Sequence, residues 1–147
     1  MLSAFNPLSL LRRRAPVRPE SRGSTVSGEL QAFLQVARQS FLQMQAAWDR
    51  ADLPALGVMA TEPLLDELRE QLALRGPGPN HTEVLELRAR LLALEDVHGA
   101  CLASVEFTGL IRERLDEAAA PFCELWLLAK VHAAGRGWRL ARVQSLG

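Results

Sequence analysis

The hydrophobic positions divide the chain into a helical half and a strand half. From Glu29 to Arg50 they recur at helical spacing. Leu30, Phe33, Leu34, Ala37, Phe41, Met44 and Trp48 share one face, and Gln31, Gln35, Gln39 and Gln43 line another. Ser27 is the expected N-cap of this helix. Asp52 caps a short helix that opens on Leu53-Pro54 and runs to Met59. Thr61 caps a third helix, with Leu64, Leu65, Leu68 and Leu72 as its buried stripe. Gly76 followed by Pro77 stops it.

After GPGPN (76–80) the period changes to two. From Thr82 onward, Leu85, Leu87, Ala89, Leu91 and Ala93 alternate with Glu86, Arg88, Arg90, Leu92 and Leu94, which predicts a strand. Val97-His98-Gly99 is a hairpin turn, and the odd positions from Cys101 to Ile111 are again apolar. A turn around Leu115–Ala119 leads into PFCELWLLAKV, residues 121–131, a third strand. His132 to Arg136 turn once more into a last strand over residues 137–145. There Trp138, Leu140, Ala141 and Val143 leave the inward set undecided. Helices followed by an antiparallel meander predict an α+β fold. The expected layout is N-terminal helices packed on a curved four-stranded antiparallel sheet, cone-shaped and similar to the nuclear-transport-factor-two-like superfamily.

A turn centred near Asp116 sets odd positions against odd positions, so the odd set is the expected core face. Cys123 then lies opposite Gly109, and no disulfide to Cys101 is expected. His98 and His132 fall at one end of the sheet and His81 at the other, which speaks against a three-histidine metal site. Glu86, Glu106 and Glu124 point outward in this register. A buried glutamate with a raised pKa would need the opposite parity. The candidate pocket lining is Phe41, Trp48, Val105, Phe107 and Leu125. The candidate partner or dimer face, on the outside of the sheet, is Phe122, Trp126 and Leu128. A second copy of the chain or a protein of unknown identity would sit there.

Composition adds exclusions. The 147 residues carry a formal net charge of +0, which offers no basic field for nucleic acid. There is no Tyr, Lys130 is the only Lys and Ile111 the only Ile, a bias associated with GC-rich bacterial genomes. No phosphate loop, nucleophile motif or metal-ligand spacing appears, so neither catalysis nor a cofactor is expected. The charge is unevenly placed. Arg12, Arg13, Arg14, Arg18 and Arg22 precede Glu29 with Glu20 as the single acid. Residues 1–28 are therefore expected to form a disordered basic tail, and residues 29–147 the folded domain. The tail admits three readings: a solvated linker, a mitochondrial presequence, or a membrane contact through Leu10, Leu11, Arg12, Arg13 and Arg14. Each Arg near an anionic leaflet contributes about 1 kcal/mol, so adhesion by the tail alone is weak and salt-sensitive. No apolar run is long enough to span a bilayer. The arginines follow the apolar start of the chain rather than precede it, the reverse of a secretory signal.

Four stretches together resemble the C-terminal domain of the Tim-forty-four-like family. They are AWDRADLPAL (47–56), RGPGPNHTEVLELRARLLALE (75–95), FTGLIRE (107–113) and PFCELWLLAKVHAAGRGWRLARVQ (121–144). The most specific pieces are Ala47-Trp48-Asp49, Asn80 with Thr82-Glu83-Val84, and the spacing of Pro121, Phe122, Trp126, Lys130, Gly137 and Trp138. The family includes the peripheral anchor of the mitochondrial import motor and shorter bacterial relatives. The resemblance implies an α+β cone with a hydrophobic pocket and no catalysis. It also implies a membrane-associated adaptor or lipid- and protein-binding domain, with a role in protein translocation or membrane-protein assembly. Its partner would be an anionic phospholipid surface. Its place would be the cytoplasmic face of a bacterial inner membrane, with the mitochondrial matrix side or the cytoplasm as alternatives. The competing reading is a soluble small-ligand-binding module or enzyme that uses the cone cavity.

Overall fold

The computed structural model describes residues 24–76, 81–114, 116–132 and 137–146. The candidate membrane contact, Leu10, Leu11 and Arg12 to Arg14, lies outside the described residues. Three helices, α1 (Ser24–Asp49), α2 (Leu53–Met59) and α3 (Glu62–Arg75), precede four strands. These are β1 (Glu83–Val97), β2 (Ala100–Arg112), β3 (Ala120–Val131) and β4 (Arg139–Ser145), antiparallel throughout and ordered β1-β2-β3-β4. The α+β class, with helices packed on one face of a four-stranded sheet, is the one the periodicity predicts.

The helical half follows local chemistry closely. Leu34, Ala37, Phe41, Met44 and Trp48 are buried along α1. The helix begins at Ser24, so Ser27 lies inside it rather than capping it. Asp52 caps α2 as expected, its carboxylate accepting from the Ala55 N–H at 3.1 Å. Thr61 precedes α3 without a side-chain cap. Its backbone N–H instead donates to the Leu140 carbonyl at 2.9 Å, which ties the start of α3 to β4. Gly76 ends α3 at φ 89°, a left-handed conformation that favours glycine.

In the sheet, β2 keeps the expected parity. Ala103, Val105, Phe107 and Ile111 are buried. β3 does not. Val105 pairs with Trp126 and Phe107 with Glu124, so odd positions of β2 face even positions of β3. A one-residue offset moves every side chain of a strand to the other face. Trp126, Leu128 and Glu124 are therefore buried and Phe122 is half-buried against the core, whereas Leu125 is on the outer side. The expected outer face of Phe122, Trp126 and Leu128 is the inner one, and Leu125 leaves the expected pocket lining.

Magnitudes explain which set goes inside. Aromatic side chains bury roughly 150–250 Å² each, and ring contacts add about 0.5–1.5 kcal/mol apiece. The inward set brings three large apolar side chains, Phe122, Trp126 and Leu128, to meet Phe41 and Phe107, against two leucines and the smaller Cys123 and Ala129 in the other set. Glu124 shares their parity and is carried in with them.

Bulges account for the other departures. A register shift between Val84 and Glu86 displaces Leu85, which is exposed. It also brings the Glu86 carbonyl to where a Cβ at Gly109 would stand, so glycine is required there. A second shift, between Leu91 and Ala93, pairs Ala93 with Ser104 on the outer side. A third, between Leu127 and Leu128, leaves Ala141 as the extra residue. Leu140 and Val143 can then both face the core, which resolves the undecided parity of the last strand.

Candidate functional site

Four aromatic rings from three elements meet above the middle of the sheet. Phe41 of α1 lies 4.9 Å from Phe107 of β2, and 5.5 Å and 5.0 Å from Phe122 and Trp126 of β3, between ring centroids. Phe107 meets Trp126 edge-on at 5.1 Å. Phe41, Phe107 and Trp126 are fully buried, so Phe122 is the ring of this layer that reaches solvent.

Glu124 sits within this layer. It is only 1% exposed, directly opposite Phe107 across the strand pair. The indole Nε1–H of Trp126 donates to its Oε1 at 2.9 Å. Its Oε2 is buried with no hydrogen-bond partner among the described residues. Burial pushes the carboxyl up to about 8; the Trp126 hydrogen bond opposes this and the negative charge of Glu113 adds to it. At neutral pH the group is therefore mostly a carboxylic acid. Its Oε1 accepts from Trp126, which leaves an Oε2 hydroxyl as a buried donor without an acceptor. Keeping it protonated at pH 7 costs about 3 kcal/mol against its 4.5 reference. That is comparable to what the ring packing set by the same parity contributes.

A second polar cluster lies where α1, α3 and β1 meet. Asp49 accepts from the Thr82 backbone N–H at 2.8 Å through Oδ2 and from the Thr82 hydroxyl at 3.0 Å through Oδ1. Arg75 stacks over the Trp48 ring at 5.4 Å and donates to the Trp48 carbonyl at 2.7 Å. Gln45, 3% exposed, reaches the Thr82 hydroxyl at 3.4 Å. These contacts clamp the C-terminal ends of α1 and α3 to the start of β1. Trp48, Asp49 and Thr82, prominent in the sequence resemblance, thus act here as structural fasteners.

Of the expected pocket lining, Phe41, Val105 and Phe107 are gathered beneath α1 beside Trp126. Trp48 is buried but belongs to the clamp. Glu124 is not among the site residues that the sequence pattern predicts. The signal that could have found it is its parity with the two aromatic residues of its own strand. The two cysteines occupy opposite faces of the sheet, Cys123 facing Thr108 rather than Gly109, and both are free. Desolvation is the main cause that raises both thiols, which makes them weak nucleophiles.

No family model matches the chain, and no curated protein matches it. Among solved structures, it is similar to a ketosteroid isomerase-like protein from Erwinia carotovora atroseptica SCRI1043. The identity is 18%, the match covers 78% of this chain and 96% of that one, and the TM-score is 0.42.

Proposed function

We propose that the protein binds a small, mostly apolar molecule carrying one carbonyl oxygen, held at Glu124 between α1 and the sheet. The observation that carries this is the half-paired carboxyl: a buried acid whose Oε1 is taken by Trp126 and whose Oε2 has no hydrogen-bond partner among the described residues. A buried polar group without a partner costs about 1–3 kcal/mol, and a ligand acceptor recovers it. A carbonyl suits the neutral acid, which has a proton to donate, and the surrounding rings suit an apolar body. Phe122 is the ring of this layer that reaches solvent, so a ligand would enter past it.

We infer binding rather than turnover because the one group hydrogen-bonded to Glu124 among the described residues is an indole N–H, a donor only, which neither ionises nor takes up a proton in this range. A fatty-acyl ester is one molecule with the required chemistry, and there this reading meets the membrane-surface expectation raised by the resemblance. None of the described helices is long and apolar enough to cross a membrane.

The test is a titration followed by tryptophan fluorescence, using methyl decanoate and, as control, decane. The ester is expected to bind roughly tenfold more tightly, the worth of one hydrogen bond to a buried donor. The preference should vanish in Glu124→Leu and fall as pH rises through about 8, where the donor proton is lost. Equal affinity for ester and alkane, or a preference that survives in Glu124→Leu, would remove the proposal.

A further inference from the structure

Among the described residues, two polar side chains are fully buried, Glu124 and Gln45, at 1% and 3% exposed. Each has one oxygen without a hydrogen-bond partner there, Oε2 of Glu124 and Oε1 of Gln45. The carbonyl contact proposed above uses the first and leaves the second. Gln45 follows Phe41 by four residues of α1. The two side chains therefore share a face of the helix, ~6 Å apart along its axis at ~1.5 Å per residue. Phe41 in turn stacks on Trp126, whose indole N–H holds Glu124. Gln45 thus stands between the aromatic layer and the clamp at Thr82.

The clamp fixes which end of the Gln45 amide is left over. Asp49 accepts the single hydroxyl proton of Thr82 at 3.0 Å. Toward Gln45 the Thr82 oxygen can then only accept. The amide must turn its Nε2 to Thr82, at 3.4 Å, and its Oε1 away. A hydrogen-bond chain that ends on a carboxylate polarises its members, which strengthens the amide oxygen as an acceptor. Gln45 Oε1 has a lone pair and no proton to give, whereas the neutral Glu124 has a proton to give. The two are complementary, yet neither has the other as its partner. A charged donor is costly among buried rings, so the group that suits Gln45 is a neutral hydroxyl. We propose that Gln45 is a second anchor of the ligand site, accepting from a hydroxyl on the ligand, and that the ligand class is therefore a hydroxylated carbonyl compound such as a hydroxyacyl ester. This inference rests on the carbonyl reading at Glu124 and narrows it.

The test titrates the full chain, by tryptophan fluorescence, with methyl decanoate and with a set of methyl hydroxydecanoates that differ in the position of the hydroxyl. One isomer is expected to bind roughly tenfold more tightly than methyl decanoate, the worth of one added hydrogen bond to a buried acceptor. Gln45→Met keeps the length of the side chain but has only a weak acceptor. It should erase that advantage while leaving the methyl decanoate affinity and the circular dichroism spectrum unchanged. Should Gln45→Met not fold, Gln45→Asn keeps an amide and draws its oxygen back by one methylene, and the same isomer should lose its advantage. The inference is overturned if no isomer binds more tightly than methyl decanoate, or if the advantage survives in the folded variant. The carbonyl reading is judged separately, by methyl decanoate against decane. If that preference holds and the hydroxyl adds nothing, this inference alone fails; if ester and alkane bind alike, both fall.

Discussion

Asp49, half-buried, and Glu124, fully buried, both carry carboxyl groups, and the fold treats them differently. Asp49 uses each oxygen, one on the Thr82 N–H and one on the Thr82 hydroxyl. Glu124 is more deeply buried yet uses one oxygen only. A carboxylate given two donors at the end of a helix fastens elements together. A carboxyl given one donor among aromatic rings is left protonated and incomplete. Satisfied polar groups in an interior serve stability, whereas an unsatisfied one carries a cost.

Three measurements put that contrast to the test. The largest effect concerns pH. The folded pKa of Glu124 is raised above its reference, so the folded state holds a proton that the unfolded chain releases. The cost is absent below the 4.5 of the free carboxyl and grows as pH rises, reaching its full value above about 8. Wild type minus Glu124→Gln stability, from urea denaturation across this window, is expected to fall by about 5 kcal/mol. A difference that is flat with pH would place Glu124 among ordinary carboxylates. Next in size, Asp49→Ala removes two hydrogen bonds and strands the Thr82 N–H, at a cost of about 2–4 kcal/mol. That loss should leave ester binding unchanged; a large drop in affinity would join the two regions that the geometry separates. The smallest effect belongs to Trp126→Phe. It removes the one donor that favours the charged form, so the Glu124 titration, read by carboxyl carbon NMR, should move further upward. Stability should fall by about 1–2 kcal/mol. A downward movement would mean that the indole favours the neutral acid.

Much of the fold is legible in the sequence because it depends on near neighbours. The stripe from Leu34 to Trp48, the Asp52 cap, the Gly76 stop and the hairpin at Gly99 each follow from residues a few positions apart. The strands of the meander lie close to where alternation places them. The candidate site is less legible. Phe41 and Phe107 fall on faces that local periodicity identifies. Alternation locates the strand that carries Glu124, Trp126 and Phe122 but puts all three on the wrong side of it. The bulges at Leu85 and Ala141 leave no mark in a two-residue period, and each redirects the side chains beyond it.

The sequence by itself determined the order of elements, their types and the apolar stripe of each helix, because these rest on propensity, capping and spacing within one turn or one strand. The tertiary structure alone decided the face of β3. The connection from Arg112 to Ala120 can seat the strand in either parity, and both sets of β3 side chains are largely apolar. The choice falls to the aromatic rings that meet Phe41 across the core. That same choice buries Glu124 as the candidate ligand anchor and turns Leu125 and Leu127 outward.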